Sequence, residues 1–257
     1  MQSPFTLPPS GSLLLFLTRR PIDSPQVASL QTVPINAEGP PQVQRLQPNV
    51  LTLDFVDITA GGETRTNVYF YEANAWVWRQ HGLERNPWDS AVQFEDELIS
   101  KRFPADSGFS AVYRFTVDGA VPKDLAIVIE RPDLYTVECN GNPVAAIPGD
   151  WWLDRAFGKL SLVDHARTGA NSVRITATPF SMLHELEPAY VVGNFSLRSE
   201  SSGFVIQPAQ AITLGRWDKQ GQPFYGHTVS YAETFRIDTP QDRYRVTLGD
   251  WLGSVAG

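Results

Sequence analysis

Apolar and polar residues alternate along most of this chain with the period of two that is typical of β-strands. In the segment Val50–Ile58, this alternation places Leu51, Leu53 and Phe55 on the core-facing side, with Val56 as a further candidate. Similar segments recur in the second half, separated by turns rich in glycine, asparagine and proline. The predicted strands are Leu13–Thr18, Val50–Ile58, Asn67–Tyr71, Ala111–Val117, Leu125–Ile129, Tyr135–Cys139, Gly158–Val163 and Ser172–Ala177. The pattern predicts an all-β protein.

The turns and the one irregular region suggest how the strands are organised. Asn140–Pro143 predicts a hairpin turn and Gly169–Asn171 a tight turn. Apolar residues four apart predict a short helix over Glu95–Lys101, capped by Ser90 or Asp89. The predicted segments are strands and a linker over 1–72, irregular chain with the short helix over 73–104, a sandwich over 105–196, and the start of a second, truncated sandwich over 204–257.

The prediction of a second sandwich rests on an internal sequence similarity. Tyr113-Arg-Phe-Thr-Val-Asp118 is similar to Phe235-Arg-Ile-Asp238, which follows Tyr231. Leu125–Ile129 is similar in the same way to Tyr244–Leu248. Two interpretations remain open: a repeated domain, or consecutive alternating strands of a single sandwich.

Composition narrows the classes of partner. The chain carries 21 basic and 28 acidic residues, a net charge of −7, and no basic cluster, which argues against nucleic acid. The apolar run Leu13–Leu17 is too short for a signal peptide or a membrane span, so neither a membrane partner nor a targeting signal is predicted. A single cysteine, Cys139, allows no intrachain disulfide and is interpreted as a buried strand residue.

Four motifs resemble accessory regions of glycoside hydrolases. Leu134–Val144 and Asp164–Ile175 are similar to the strand and turn motifs of galactose-binding-like jelly-roll sandwiches. Glu187–Phe195 and Gly215–Gly226 resemble the region after the barrel in large bacterial family 106 α-L-rhamnosidase-like and family 2-like glycoside hydrolases. The resemblance implies a galactose-binding-like β-sandwich in a secreted or periplasmic parent enzyme, whose catalytic acids stand on a separate (β/α)₈ barrel. It carries over no catalytic residue.

Residues that could support catalysis or bind a metal are few. Glycoside hydrolysis needs two carboxylates across a cleft, and the candidates by proximity are Glu95, Asp96 and Glu97, or Glu185 with Glu187. The first group is interpreted as the solvated surface of the predicted helix. Glu187 precedes a proline and is interpreted as anchoring a linker. The histidines have no metal-binding spacing, so no cofactor is predicted; structural calcium stays open, without specific ligands.

Aromatic clusters are the stronger candidates for binding. A flat, exposed indole or phenol ring can stack on the apolar C–H face of a sugar, while nearby polar groups bind its hydroxyls. The candidate carbohydrate-binding residues are Trp151, Trp152 and Asp154 in one stretch, and Trp217, Asp218 and Tyr225 in another. The alternative is that these rings pack between domains. Because neighbouring strand residues point to opposite sides, at most one of Trp151 and Trp152 is expected to be a free platform.

These observations predict a non-catalytic carbohydrate-binding or accessory region of a polysaccharide-degrading glycoside hydrolase. Its expected partners are carbohydrate and the neighbouring domains of the parent enzyme. Two alternatives remain: a structural spacer packed against a catalytic barrel, and a self-contained glycosidase or esterase.

Overall fold

The computed structural model describes residues 32–90 and 96–247, and the predicted strand Leu13–Thr18 lies outside them. The described residues form an all-β fold with two short helices, α1 (Phe70–Gln80) and α2 (Asp96–Ile99), neither long and apolar enough to cross a membrane. The strands are β1 (Gln42–Arg45), β2 (Asn49–Leu53), β3 (Phe55–Ala60), β4 (Glu63–Tyr69), β5 (Phe109–Val117), β6 (Ala126–Glu130), β7 (Thr136–Cys139), β8 (Asn142–Val144), β9 (Ala146–Trp152), β10 (Asp154–Ser161), β11 (Gly169–Ala177), β12 (Ala189–Gly193), β13 (Phe195–Ser199), β14 (Phe204–Pro208) and β15 (Val229–Ala232).

The chain divides into two compact units. Gly39–Thr234 is the larger, and it contains every strand named above. In the described residues, the smaller unit consists of 32–38 and 235–247. In its described part, an isolated antiparallel bridge joins Ala37 to Phe235.

Two large sheets make up the β-sandwich. Five antiparallel strands form one sheet in the order β2-β12-β6-β10-β9. The eight-stranded sheet is built around β5, which pairs with β11 along one edge and with β3 and β14 along the other. The β14–β5 pair is parallel. Strands β1 and β15 form a separate two-stranded sheet.

The inner faces of both large sheets share one apolar core. In β5, Tyr113 and Phe115 are buried while Arg114 between them is exposed, which is the alternation expected of a strand with one wet face. Strand β6 differs because both of its faces are covered. Ile127 belongs to the shared core, whereas Val128 belongs to a second apolar cluster on the outer face of the five-stranded sheet. Of the candidate aromatic residues, Trp152 packs on that outer face.

The predicted strand Val50–Ile58 is two strands that belong to different sheets. The chain leaves the five-stranded sheet after β2 and enters the eight-stranded sheet at β3. The alternation shifts by one residue at this change, so Val56 takes the core position and Phe55 is 49% exposed. The prediction that Phe55 faces the core is therefore wrong.

Helix α1 was not predicted. β4 ends at Tyr69, two residues short of the predicted strand, and the helix begins at Phe70. No side chain caps its N-terminus, so the polar residue that normally marks a helix start is missing from the sequence. Trp76 and Trp78 are buried in the core, and Gly82, with a φ of 76°, follows the helix end. The later short helix is confirmed as α2.

The predicted hairpin turn is confirmed and is tied to a second turn. Asn140 and Gly141 both have positive φ values, 51° and 82°, as a two-residue turn between β7 and β8 requires. The Asn140 amide donates to Asn171 Oδ1 at 2.9 Å, and Ser172 N donates to Asn140 Oδ1 at 3.0 Å. These bonds hold the turn before β11 against the β7–β8 hairpin.

The compact unit extends across the segment boundaries drawn from the sequence. Strands β2 and β3, from the first predicted segment, pair with β12 and β5 of the third. Strand β14 pairs with β13 and β5, so residue 204 begins a strand of the same sandwich. Strand pairing, which joins residues distant in sequence, decides this organisation.

The two halves of the internal sequence similarity have different structures within the described residues. Tyr113–Val117 lies in the central strand β5, whereas Tyr231 lies in the two-stranded sheet and Phe235 makes a single bridge. Residues 244–247 form no strand. The described part of the second copy therefore does not repeat the first.

Candidate functional site

The two consecutive tryptophans lie on an edge hairpin. Trp151 and Trp152 are in β9, the outermost strand of the five-stranded sheet, and Leu153, with a φ of 66°, turns the chain into β10. Trp151 is 48% exposed and makes no ring contact with the described residues. Trp152 is half-buried, so Trp151 is the freer of the two rings.

Trp152 belongs to a group of rings on the outer face of the sheet. Its ring centroid lies 5.2 Å from that of Tyr190 in β12 and 5.9 Å from that of His227. Tyr190 in turn lies 6.3 Å from Phe157 in β10. Trp152, Tyr190 and Phe157 cover the outer apolar cluster that includes Val128.

The second predicted cluster packs beside the first. The Tyr225 hydroxyl donates to Thr228 O at 2.7 Å and accepts from Gln47 N at 3.2 Å. Trp217 donates its Nε1–H to the Tyr231 hydroxyl at 2.7 Å. Tyr225 is only 6% exposed, so its ring has no free face for a sugar. Tyr225 was predicted to contact sugar, but its ring is buried and supports the neighbouring rings instead.

His227 connects the two clusters into one aromatic row. Its centroid lies 5.8 Å from that of Tyr225, and the Tyr225 centroid lies 6.1 Å from that of Trp217. We define the aromatic row as Phe157, Tyr190, Trp152, His227, Tyr225 and Trp217. The sequence analysis missed Phe157, Tyr190 and His227. Only Tyr190 had a local signal, as an aromatic residue alternating with buried ones in β12.

Acidic residues near the rings are engaged in local contacts. Asp154 accepts a hydrogen bond from Ala156 N at 2.8 Å, which shapes the start of β10. Asp150 and Lys159 form an ion pair at 2.9 Å. Asp218 binds Arg216 through two hydrogen bonds of 3.0 and 2.8 Å, and this pairing lowers the pKa of Asp218. Asp154 lies opposite Trp152 in the β9–β10 pair, whereas Asp218 follows Trp217 at the other end of the row.

A separate cleft contains carboxyl groups. Its volume is about 260 Å³, and it is lined by Trp88, Glu130, Arg131, Tyr135, Leu183 and Glu185. Arg131 binds Asp133 through two hydrogen bonds of 3.0 and 2.9 Å. The carboxyl of Glu185 accepts a hydrogen bond from the Asn86 amide at 2.7 Å. No ion pair of Glu130 or Glu185 is present in the described residues.

Burial and mutual repulsion perturb these carboxyl groups. Burial, followed by the charges of Glu185 and Glu130, raises the pKa of Glu187 to about 7. Burial, followed by the charges of Glu185 and Asp154, also raises the pKa of Glu130. Glu185 and Glu187 were a candidate pair from the sequence, whereas Glu130 comes from a distant strand and was not predicted.

Replacing Glu187 with glutamine should change the pH dependence of stability. Folding raises the pKa of Glu187. The contribution of this residue to folding stability is therefore fully present below its ordinary pKa of 4.5 and is lost as the pH rises through about 7. We expect the change in free energy of unfolding caused by Glu187→Gln to be about 1 kcal/mol more stabilising at pH 8 than at pH 4.5. This figure includes a reduction for solvent screening, because Glu187 is only partly buried.

Urea unfolding at both pH values measures this difference. Glu72→Gln, which removes an exposed carboxylate of α1, provides the control for a surface substitution of the same kind. Parallel pH profiles for wild type and Glu187→Gln would contradict the raised pKa.

The described residues contain no cluster of three His, Cys, Asp or Glu side chains that could hold a metal ion. Cys139 is buried in β7, and burial raises the pKa of its thiol, as expected of a packed strand residue.

The comparisons with known proteins add no assignment. No protein-family model, curated protein or solved structure matches this chain.

Proposed function

We propose that this chain is a non-catalytic carbohydrate-binding region of a polysaccharide-degrading glycoside hydrolase. Its proposed sugar-contacting rings are Trp151, which points to the other side of the edge strand β9 from Trp152, and those on the open side of the aromatic row. Carbohydrate is the proposed ligand, and neighbouring domains of a secreted or periplasmic parent enzyme are the proposed partners. The galactose-binding-like relationship drawn from the sequence motifs is part of this proposal.

The observation that carries the proposal is the convergence of the two predicted clusters. Trp152 and Trp217 are far apart in the sequence, yet His227 and Tyr225 join them into one row of ring contacts that begins on the sheet face. Trp151, at the edge of that sheet, leaves almost half of its surface open. A rigid, half-open ring surface with polar neighbours is what stacking on a neutral sugar requires.

The spacer interpretation makes a different prediction for the same rings. Rings that pack against a neighbouring domain retain no glycan when the chain is free in solution. Affinity electrophoresis of the intact chain separates the two interpretations, because a bound polysaccharide in the gel slows the protein.

The experiment uses gels containing neutral β-glucan, mannan or xylan, gels containing a polyuronate, and a gel without polysaccharide as the control. We expect retardation by at least one neutral polysaccharide. Equal mobility in all gels would contradict the proposal and favour the spacer.

A second candidate function, glycosidic bond cleavage, is favoured by the carboxyl groups of the smaller cleft. Glu130 and Glu185 line this cleft, and Glu187, outside its lining, interacts electrostatically with both. In that case protonated Glu187 would be the acid toward the glycosidic oxygen, while Glu130 or Glu185 would activate the attacking water. Aryl glycosides test this directly. Turnover that is lost in Glu187→Gln and retained in Glu72→Gln would support an enzyme; no turnover by the wild type would oppose it.

A further inference from the structure

A second, larger cleft adjoins the Trp217 end of the aromatic row. Its volume is about 480 Å³, within the range of small-molecule sites, and its residues come from two walls. One wall is the β13–β14 hairpin, which includes Arg198, Ser199 and Phe204. The other is the turn at 218–223, which begins at Asp218, next to Trp217. The cleft and the aromatic row therefore share one structural segment.

The two walls are held together by a close backbone approach. Leu197 N and the buried Asn49 amide both donate to Gly221 O at 2.9 Å. Gly221 has a φ of 76°, and a Cβ there would lie 2.9 Å from Ser196 Cβ. A side chain at this position would push the walls apart, so glycine fixes the base of the cleft.

The charged groups of this cleft are neutralised by their neighbours. Arg198 pairs with Glu200 and, at 3.1 Å, with Asp118. Lys219 lies 3.7 Å from Asp218. A ligand entering the cleft therefore meets balanced charges, which favours a neutral molecule over an ionic one.

The remaining groups are the ones a polyhydroxylated ligand needs. The Ser199 hydroxyl and the Gln210 side-chain amide make no hydrogen bond within the described residues, so they are available to a ligand. Phe204 adds an apolar surface, supported by the Phe224 ring at 5.0 Å. Donors, acceptors and one ring face are thus combined in a single cleft.

We infer that this cleft binds one or two neutral sugar units at the end of the glycan whose chain lies along the aromatic row. The inference rests on the proposed carbohydrate-binding function and adds to it a second subsite with its own selectivity. Gln210 and Ser199 would hydrogen-bond the hydroxyls, and Phe204 would contact the ring.

Calorimetric titration of the full chain tests this inference, with neutral glucan, mannan and xylan oligosaccharides of two to six units as the probes. For the probe that binds best, we expect the double variant Ser199→Ala/Gln210→Ala to lose on the order of 10-fold in affinity, because two hydrogen bonds are removed. Oligosaccharides of uronic acids should bind more weakly than neutral ones. Ser100→Ala/Gln80→Ala, two exposed residues at the ends of α2 and α1 that do not line the cleft, is the matched control.

The results distinguish a failure of the cleft inference from a failure of the proposed carbohydrate-binding function. If the double variant binds like wild type while Trp151→Ala binds poorly, the cleft is not a subsite and the inference fails alone. If the wild type binds none of the probes or polysaccharides, both fail. Thermal unfolding of each variant verifies that its fold is retained.

Discussion

Replacing Asn171 with alanine is expected to lower the free energy of unfolding by about 3 kcal/mol. Asn171 is 4% exposed. Its Oδ1 accepts from Arg167 N at 2.8 Å and from the Asn140 amide at 2.9 Å. Its amide donates to Arg167 O at 2.7 Å and to Gly169 O at 2.9 Å. Alanine would leave these part-buried partners unpaired and release the turn before β11 from the β7–β8 hairpin.

Asn142 offers a matched control in that hairpin. It is exposed, and its amide approaches backbone oxygens only at 3.5 Å. Asn142→Ala should change stability by less than about 0.5 kcal/mol. Chemical denaturation of both variants measures the difference. Equal, small losses would show that the amide network of Asn171 does not hold the turns together.

Replacing Trp151 with alanine is expected to weaken glycan binding about 30-fold, while stability stays close to that of the wild type. Trp151 is the most exposed of the candidate rings, so its loss removes a stacking surface without opening the core. The measurement is calorimetric titration with the polysaccharide that retards the chain most in affinity gels.

Tyr71 is the control for that substitution. It is 56% exposed, slightly more than Trp151, but it lies on α1, beside the other large sheet. Tyr71→Ala should leave the affinity unchanged. If both substitutions weaken binding equally, the effect reflects general surface hydrophobicity, and the assignment of Trp151 as the platform is wrong.

Local patterns predicted much of the fold. The strands of the second half are present as β5, β6, β7, β10 and β11, because alternation and turn residues act over a few neighbours. The Asn140–Gly141 turn was predictable for the same reason, since its backbone needs residues that tolerate positive φ. These features depend on interactions that a sequence window contains.

Features decided by distant pairing could not be predicted. The change of sheet between β2 and β3 reversed the orientation expected for Phe55, and nothing in the local pattern marks it. Helix α1 was missed because tertiary burial of Trp76 and Trp78, with no polar cap, stabilises it.

The candidate site was predicted in part for the same reason. Side-chain chemistry identified Trp152 and Trp217 as candidates, but only the fold brings them together through His227. The burial of Tyr225 depends on contacts with Gln47 and Thr228, which no local pattern reveals. The meeting of carboxyl groups around Glu130 is likewise a product of topology.

The central claim is that this sandwich binds a glycan without cleaving it, and calorimetric titration of the intact chain with a retained neutral polysaccharide tests both parts at once. We predict heats that saturate as sites fill, followed by a return to baseline. A titration with no binding heat would contradict the binding claim. A steady heat flow that persists after mixing and disappears in Glu187→Gln would instead establish hydrolysis.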